Sequence, residues 1–192
     1  MKKISLLSIV ALASVTLAAC SSGSTEKSTS NDSVTVSEEV KKDIPQEYKN
    51  VVKKAESYIN TMHMSKQGVY DQLTSEFDKF TPEQAQYAID NLEIDYNEVA
   101  VKKGEDYYKT MNMSKQGIYN QLTSEFDKFT AEEAQHAIDN LKLDYKESAY
   151  KKGKTYFKDM AMSLEAVKTQ LIDFEHFTEE EAQYAVDKLA QE

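Results

Sequence analysis

Apolar residues recur at the spacing of an α-helix along most of the chain after residue 44. Between residues 45 and 62 they fall three or four positions apart and share one helical face: Val51, Ala55, Tyr58, Ile59 and Met62. Two shorter periodic stretches follow before the pattern begins again. The pattern predicts a long first helix and two short ones, and then the same set twice more.

Polar residues mark where these helices begin. Ser65, Ser114 and Ser163 precede the second stretches, where a serine hydroxyl can accept a free backbone N–H group. Each third stretch opens with a Thr-x-x-Gln or Thr-x-x-Glu capping box, at residues 81–84, 130–133 and 178–181. Asp95 and Asp144 begin similar Asp-x-x-Glu sequences, which predict capping boxes at the first helices of the later sets.

The three sets are copies of one segment with a period of about 49 residues. Met-x-Met-Ser occurs at residues 62–65, 111–114 and 160–163, and the first two copies are nearly identical beyond it. We expect helical repeats at 44–94, 95–143 and 144–192. The third copy is divergent, with Ala166 and Lys168 replacing a Gly and a Tyr. It is either a capping copy or a copy with different specificity.

Composition narrows the fold class. Five Gly and two Pro in 192 residues are too few for the tight turns of a β-sandwich or barrel. The predicted fold class is therefore all-α: a tandem array of three small trihelical, helix-turn-helix-like repeats. Because units of this size bury little apolar surface alone, we expect neighbouring repeats to pack together or share a long connecting helix.

The N-terminal residues have a different character. Two lysines precede an apolar stretch that is too short to cross a bilayer, which predicts a signal peptide at 1–19. It ends in Leu-Ala-Ala followed by Cys20, similar to the bacterial lipobox, whose cysteine becomes lipidated. The following segment (20–43) is rich in Ser and Thr, which predicts a flexible, disordered tether. We expect a covalent diacylglyceryl group on Cys20 and a position on the extracellular face of the cell membrane, within or under the wall.

Charge and motifs argue against several functional classes. The chain carries 33 Asp and Glu against 23 Lys and Arg, a net charge of -10, which is the wrong sign for binding nucleic acid phosphates. Hydrolase, phosphate-loop and zinc-site patterns are missing, and each His is replaced by unrelated residues in the other copies. We expect no enzyme, no metal, no small-molecule substrate and no cofactor beyond the lipid.

The excess of acid predicts a protein-binding surface instead. Tyr70 and Tyr119 share one helical position and are expected to be exposed, which suits an interface. The third helices carry more carboxylates than are needed to interact favourably with the helix N-termini. The additional negative charge suits a cationic partner. The candidate partner-binding residues are Tyr70, Asp71, Glu83, Asp90, Tyr119, Glu132, Glu133 and Asp139.

Several motifs of the repeats resemble a known family. They include Lys-Lys-Ala-Glu-Ser-Tyr, Met-x-Met-Ser-Lys-Gln-Gly, Gln-Leu-Thr-Ser-Glu-Phe and Phe-Thr-x-Glu-x-Ala-Gln-x-Ala-Ile-Asp-Asn-Leu. Behind a lipobox and a serine tether, they are similar to the Ltp-type host cell surface-exposed lipoproteins of Gram-positive bacteria and their prophages. The resemblance covers about residues 47–189 and implies tandem helix-turn-helix-like repeats.

The resemblance also implies a function. Members encoded by temperate phages are associated with superinfection exclusion, in which an incoming phage adsorbs but its DNA does not enter. The expected target is a phage tail component such as the tape measure protein, through a cationic or amphipathic helical segment. Many bacterial members have no assigned role, so a cell-envelope or adhesion module without a phage role is the alternative hypothesis.

Overall fold

The computed structural model describes residues 44–192, which lie in one compact unit. Within the described residues there are nine α-helices and no strands: α1 (Gln46–Met62), α2 (Lys66–Thr74), α3 (Pro82–Asp90), α4 (Tyr96–Met111), α5 (Lys115–Leu122), α6 (Ala131–Asn140), α7 (Tyr145–Lys154), α8 (Leu164–Asp173) and α9 (Glu179–Leu189). A π-helical segment, Thr155–Asp159, extends α7. The predicted all-α fold is confirmed. The predicted signal peptide, Cys20 and the tether lie outside the described residues.

Three consecutive helices form each repeat. The first and third helices of a repeat pack side by side, and the second packs against both. Repeats 1 and 2 share one continuous apolar core, whereas repeat 3 has its own. Neighbouring repeats do not share a helix, because α3 ends at Asp90 before α4 begins at Tyr96, and α6 ends at Asn140 before α7 begins at Tyr145. The sequence left two arrangements open, direct packing of neighbouring repeats or a shared connecting helix. The repeats pack directly on one another.

The core consists of the periodic apolar positions. In repeat 1 the fully buried side chains include Val51 and Ala55 of α1 and Val69 and Leu73 of α2. Burying a Val or Leu side chain contributes about 1.5–3 kcal/mol, so these positions hold the three helices together. Met62 was expected on the same face as these residues, yet it is exposed. Met111 and Met160, at the equivalent positions of the other repeats, are exposed as well. Each occupies the end of the helical stripe, beyond the packed part of the core.

Side-chain caps fix where the helices start. Ser65, Ser114 and Ser163 accept a backbone N–H at the start of α2, α5 and α8, and α3, α6 and α9 each open with a complete capping box, as predicted. Asp95 and Asp144 also cap their helices. Asp95 Oδ1 accepts from Asn97 N at 2.9 Å, and Asp144 Oδ1 accepts from Glu147 N at 3.1 Å. The reciprocal bond of a capping box is not formed at these two sites. Asp95 bonds the second helical N–H instead of the third, and the carboxylate of Glu147 accepts from Lys188 instead.

The capping serines also join one repeat to the next. Ser114 Oγ accepts from Gly117 N at 2.9 Å and donates to the carbonyl oxygen of Glu175, in repeat 3, at 2.6 Å. Ser65 makes the same pair of bonds, with Gly68 N and with the carbonyl oxygen of Asp127 in repeat 2. One hydroxyl thus satisfies a helix N-terminus and a loop carbonyl of the neighbouring repeat.

A glycine lies three residues after each junction serine. A Cβ atom on Gly117 would lie 3.0 Å from Ser114 Oγ, which is tight, and 3.5 Å from the carbonyl oxygen of Glu175, which is an ordinary contact. Repeat 3 has Ala166 at this position, and its Ser163 still caps the helix but is exposed, with no following repeat packed on it within the described residues. The glycine therefore relieves crowding within the cap, and the loop of the next repeat leaves room for a Cβ atom.

A tyrosine and an acidic residue hold the accepting loop in each repeat. Tyr107 of α4 donates to Asp127 Oδ2 at 2.5 Å, and Tyr156 donates to Glu175 Oε1. Burial, followed by the hydrogen bond to the neighbouring carboxylate, raises the pKa of Tyr107 above its usual value and that of Tyr156 to about 12. Both tyrosines are half-buried, and their hydroxyls are bonded. Each loop acid thus bonds its own repeat through the side chain and the preceding repeat through its carbonyl.

Lysines add a second contact that is common to both junctions. Lys103 donates to the carbonyl oxygen of Met62 at 3.2 Å, and Lys152 donates to that of Met111 at 3.3 Å. In each case the carbonyl ends the first helix of the preceding repeat, where the helix dipole favours a cation. The two junctions therefore share the serine and the lysine contacts.

Two of the three histidines lie where the backbone is left-handed. His63 follows α1 with a φ of 48°, and Asn112 and Ala161 have φ values of 50° and 53° at the same position. His176 has a φ of 60°, and Lys79 and Lys128 have φ values within a few degrees of it. The repeats therefore share two left-handed backbone positions that carry different side chains. His63 Nδ1 also lies 2.7 Å from Asp106 Oδ2 of repeat 2.

We predict that Ser114→Ala destabilises the chain more than Ser163→Ala does. Ser114→Ala leaves an unpaired N–H group and an unpaired carbonyl, which costs about 2–3 kcal/mol. Ser163→Ala removes the cap alone and costs about 1 kcal/mol. Urea unfolding followed by far-UV circular dichroism measures both free energies. Equal losses would contradict a role for the serine in joining repeats.

Candidate partner-binding site

A groove on repeat 1 brings together aromatic and acidic side chains. It lies between the start of α1 and the outer face of α3, and α2 contributes one side chain. Its lining includes Tyr48, Tyr70, Pro82, Glu83, Tyr87 and Asp90. Tyr48 and Tyr87 meet edge to face, with ring centroids 4.8 Å apart and planes at 89°. The groove therefore offers tyrosine rings beside carboxylates.

The charge of this groove is not neutralised from within. Glu83 is exposed in the first turn of α3, and Asp90 accepts a hydrogen bond from Gln86 Nε2 at 2.8 Å, which orients it without changing its charge. Within residues 44–192, Glu83 and Asp90 form no ion pair with a lysine. The groove can thus favour a positively charged group from outside the described chain.

Repeat 3 has the same groove with a different charge balance. Its lining includes Lys146, Glu180 and Tyr184, which correspond to Tyr48, Glu83 and Tyr87. Lys146 Nζ lies 2.6 Å from Glu180 Oε1. The hydrogen bond from this ammonium, and then its charge, hold the pKa of the Glu180 carboxyl below its usual range. This groove carries its own cation.

A further lysine neutralises another acid of repeat 3. Lys168, at the position of Tyr70, lies 3.3 Å from Glu179 Oε1. The two tyrosines that distinguish the groove of repeat 1 are thus both replaced by lysines that pair with acids.

The structure places the predicted site residues in several environments. Tyr70, Glu83 and Asp90 lie together in the groove. Tyr70 is half-buried against the shared core of repeats 1 and 2, although it was expected to be exposed. Asp71 is a junction residue, since its Oδ2 lies 2.6 Å from Lys128 Nζ of repeat 2. Partial burial opposes ionisation of Asp71, but hydrogen bonds from Lys128 and Gln67 outweigh it and lower the pKa of this carboxyl.

The predicted residues of repeat 2 are less closely gathered. Tyr119 is half-buried against the core, contrary to the expectation of exposure. Glu133 completes the capping box of α6 and also lines a pocket between repeats 1 and 2 that includes Tyr70. Glu132 is exposed in the first turn of α6, and Asp139 accepts from Gln135 at 3.0 Å.

Sequence reasoning missed the most exposed aromatic side chains. Phe77, Phe126 and Phe174 are 82%, 87% and 67% exposed, in the loop after the second helix of each repeat. They are invariant among the three copies, and an invariant apolar residue is usually read as core. One sequence feature could have indicated their exposure. Each Phe has an acidic residue on both sides, and a loop segment of this polarity tends to lie in solvent.

Tyr48 and Tyr87 were missed for a different reason. Neither is invariant among the copies, so the internal comparison did not select them. Only packing of α1 on α3 brings the two rings together.

The described residues contain neither a metal-binding cluster nor a membrane-spanning helix. Between residues 44 and 192, His, Cys, Asp and Glu side chains form no group of three or more that could hold a metal ion. Within that range, each helix is too short or too polar to cross a membrane.

The fold defines the class of the protein as a tandem array of small helical repeats. Three consecutive segments, 46–92, 95–141 and 144–189, match the family model described as host cell surface-exposed lipoprotein. The chain therefore belongs to the family of host cell surface-exposed lipoproteins. This description names a surface lipoprotein and no enzyme class, and it agrees with the predicted resemblance and surface location.

Comparison with individual proteins gave one match of note. A solved structure described as Ltp, a superinfection exclusion protein from the Streptococcus thermophilus temperate phage TP-J34, shares 46% sequence identity with the chain. The match covers 52% of this chain and 99% of that chain, with a TM-score of 0.48. No curated protein matches.

We predict that Lys146→Tyr raises the pKa of the Glu180 carboxyl toward the ordinary glutamate value of about 4.3. Because the pair lowers this pKa, its stabilising effect is present above that value and is lost as the pH falls. A carboxyl-carbon NMR titration measures the change, and Lys142→Tyr serves as a control with the same loss of charge. An unchanged Glu180 titration in Lys146→Tyr would show that the pair does not form in solution.

Proposed function

We propose that this protein is a membrane-anchored lipoprotein that mediates superinfection exclusion. In this function it binds a phage tail component, such as the tape measure protein, and blocks injection of DNA by incoming phages. Family membership supports a surface lipoprotein, and superinfection exclusion is the function named for the similar protein Ltp. The chain acts as a binding protein and not as an enzyme.

The repeated exposure of Phe77, Phe126 and Phe174 is the observation that carries a binding function. A large apolar side chain at the surface costs free energy in water, and burying it releases about 25 cal/mol per Å². One exposed Phe is unremarkable, but three at equivalent positions form a repeated contact surface. An array of this kind engages an elongated partner more strongly than one repeat could, because linked contacts raise the effective concentration.

The proposed anchor places this surface where a phage delivers its DNA. Two acyl chains on Cys20 suffice for stable membrane attachment, at about 0.8 kcal/mol per buried methylene. A flexible tether of about 20 residues has an r.m.s. reach of roughly 25 Å. The repeats therefore remain close to the outer face of the membrane, within reach of a tail segment that approaches it.

The charge of the repeats indicates which tail segment would bind. With a net charge of -10, the chain attracts a cationic or amphipathic helical segment and repels nucleic acid. Tyrosine rings and carboxylates in the groove of repeat 1 fit the same kind of partner.

We predict that expression of the chain in a sensitive streptococcal or lactococcal host leaves phage adsorption normal and blocks DNA entry. Cys20→Ala should weaken or abolish the block, because the variant lacks the lipid that holds the repeats at the membrane. Adsorption and DNA entry are scored separately, with the amount of protein checked by immunoblot. Unchanged entry across a broad phage panel would favour the envelope or adhesion function instead.

We also predict that Phe77→Ser, Phe126→Ser and Phe174→Ser, combined, abolish exclusion without unfolding the repeats. The side chains are exposed, so their loss removes partner contacts but little core packing. A matched control changes three other exposed, equivalent positions: Thr61→Ala, Thr110→Ala and Asp159→Asn. Circular dichroism checks folding, and the phage assay measures exclusion. Full exclusion by a folded triple Phe variant would remove the support that these residues give.

A further inference from the structure

We infer that the groove of repeat 1 binds a lysine or arginine side chain of the partner protein, whereas the groove of repeat 3 is already occupied by lysines of its own. This inference rests on the proposed function, since it names the partner chemistry at one part of the same surface. It also predicts that repeats 1 and 3 differ in binding, although their folds are equivalent.

Repeats 1 and 3 differ by a lysine at equivalent positions of the groove. The acid at position 83 of repeat 1 corresponds to Glu180 of repeat 3, and in repeat 3 it binds the ammonium of Lys146 at 2.6 Å. In repeat 1 the position of that lysine is Tyr48. The carboxylate site is therefore the same, but among residues 44–192 no lysine fills it in repeat 1.

The other lysine of repeat 3 is lost together with its acid. Lys168 lies 3.3 Å from Glu179, and repeat 1 has Tyr70 and Pro82 at these two positions. Only the exchange of Lys146 for Tyr48 therefore leaves an acid, Glu83, without its lysine. Both exchanges place a tyrosine ring, which favours a cation, beside the groove of repeat 1.

The geometry of the rings suits a long cationic side chain. Tyr48 and Tyr87 stand perpendicular to each other, 4.8 Å between centroids, so ring surface lines the groove. A lysine or arginine can pack its methylene stem on such surface while its charged end meets Glu83 or Asp90. The chain already uses this kind of contact in repeat 3, where Lys188 Nζ lies 3.8 Å from the centroid of the Tyr150 ring.

Repeat 2 lacks the pair of tyrosines. Asn97 and His136 replace them, although Glu132 and Asp139 keep the acids. We therefore expect repeat 2 to bind a basic side chain more weakly than repeat 1. A second copy of this chain is a poor occupant, because two acidic surfaces repel one another.

The test is an NMR titration of the purified full chain that carries Cys20→Ala. The probe is a short alanine-rich helical peptide with lysines, and its matched control has every lysine acetylated, which removes the charge and keeps the length. We expect saturable shifts of the Tyr48 and Tyr87 ring signals with the lysine peptide, and binding at least about tenfold weaker with the acetylated one. The Tyr184 signals should change little.

Two exchange variants make the test specific. Tyr48→Lys should abolish binding at repeat 1, because the new ammonium pairs with Glu83, whereas Tyr48→Phe should retain most of it. Lys146→Tyr combined with Lys168→Tyr should create a second site at Tyr184. Dispersed amide signals show that each variant is folded.

Three results would overturn the inference: equal binding of the acetylated peptide, unchanged binding by Tyr48→Lys, or non-saturating shifts at acids over the whole surface. The phage assay is separate. Exclusion that depends on Cys20, together with absence of lysine binding, overturns the groove site and leaves the proposed function in place. Saturable binding by a chain that excludes no phage keeps the site and overturns the function.

Discussion

A serine hydroxyl shared between a helix cap and the carbonyl of the next repeat is the contact on which the array depends. Ser65 and Ser114 each accept a bond from their own helix and donate one across the junction. The accepting loop is also held from its own side, because Tyr107 binds the side chain of Asp127. With the loop backbone fixed in this way, Phe126 lies outside the core and projects into solvent. The loop of repeat 1 exposes Phe77 in the same way, held by the bond from Tyr58 to Asp78. The bond between tyrosine and acid thus recurs in the loop that presents each phenylalanine, and the serine adds the link between repeats.

The third repeat differs from the first two at its serine and beside its groove. Ser163 caps α8 but is exposed and makes no bond to another repeat within residues 44–192, whereas Ser65 and Ser114 are buried at junctions. Lys168 lies 3.3 Å from Glu179 beside the groove, and Lys146 binds Glu180 within it. The third repeat thus keeps the helix cap and has a groove that carries lysines of its own.

Acidic residues have three different uses in this chain. Those in the first turns of the third helices favour the positive ends of the helix dipoles, and some complete capping boxes. Others, such as Asp71 and Asp127, hold neighbouring repeats or loops together. Of the acids of the groove in repeat 1, Glu83 lies in the first turn of α3 and Asp90 at its last residue, and neither forms an ion pair with a lysine within residues 44–192. Their charge is therefore available to a partner. Net charge alone does not distinguish these groups.

By itself, the sequence determined the number of repeats, the three helices of each repeat and the residues that begin most of them. These features are local, since periodicity and capping act within one or two helical turns. The tertiary structure decided which residues meet. It showed Asp71 at a junction with Lys128, half-buried Tyr70 and Tyr119, and a pair formed by Tyr48 and Tyr87. Such contacts join residues far apart in the chain, and their partners follow from how the helices pack and not from local spacing.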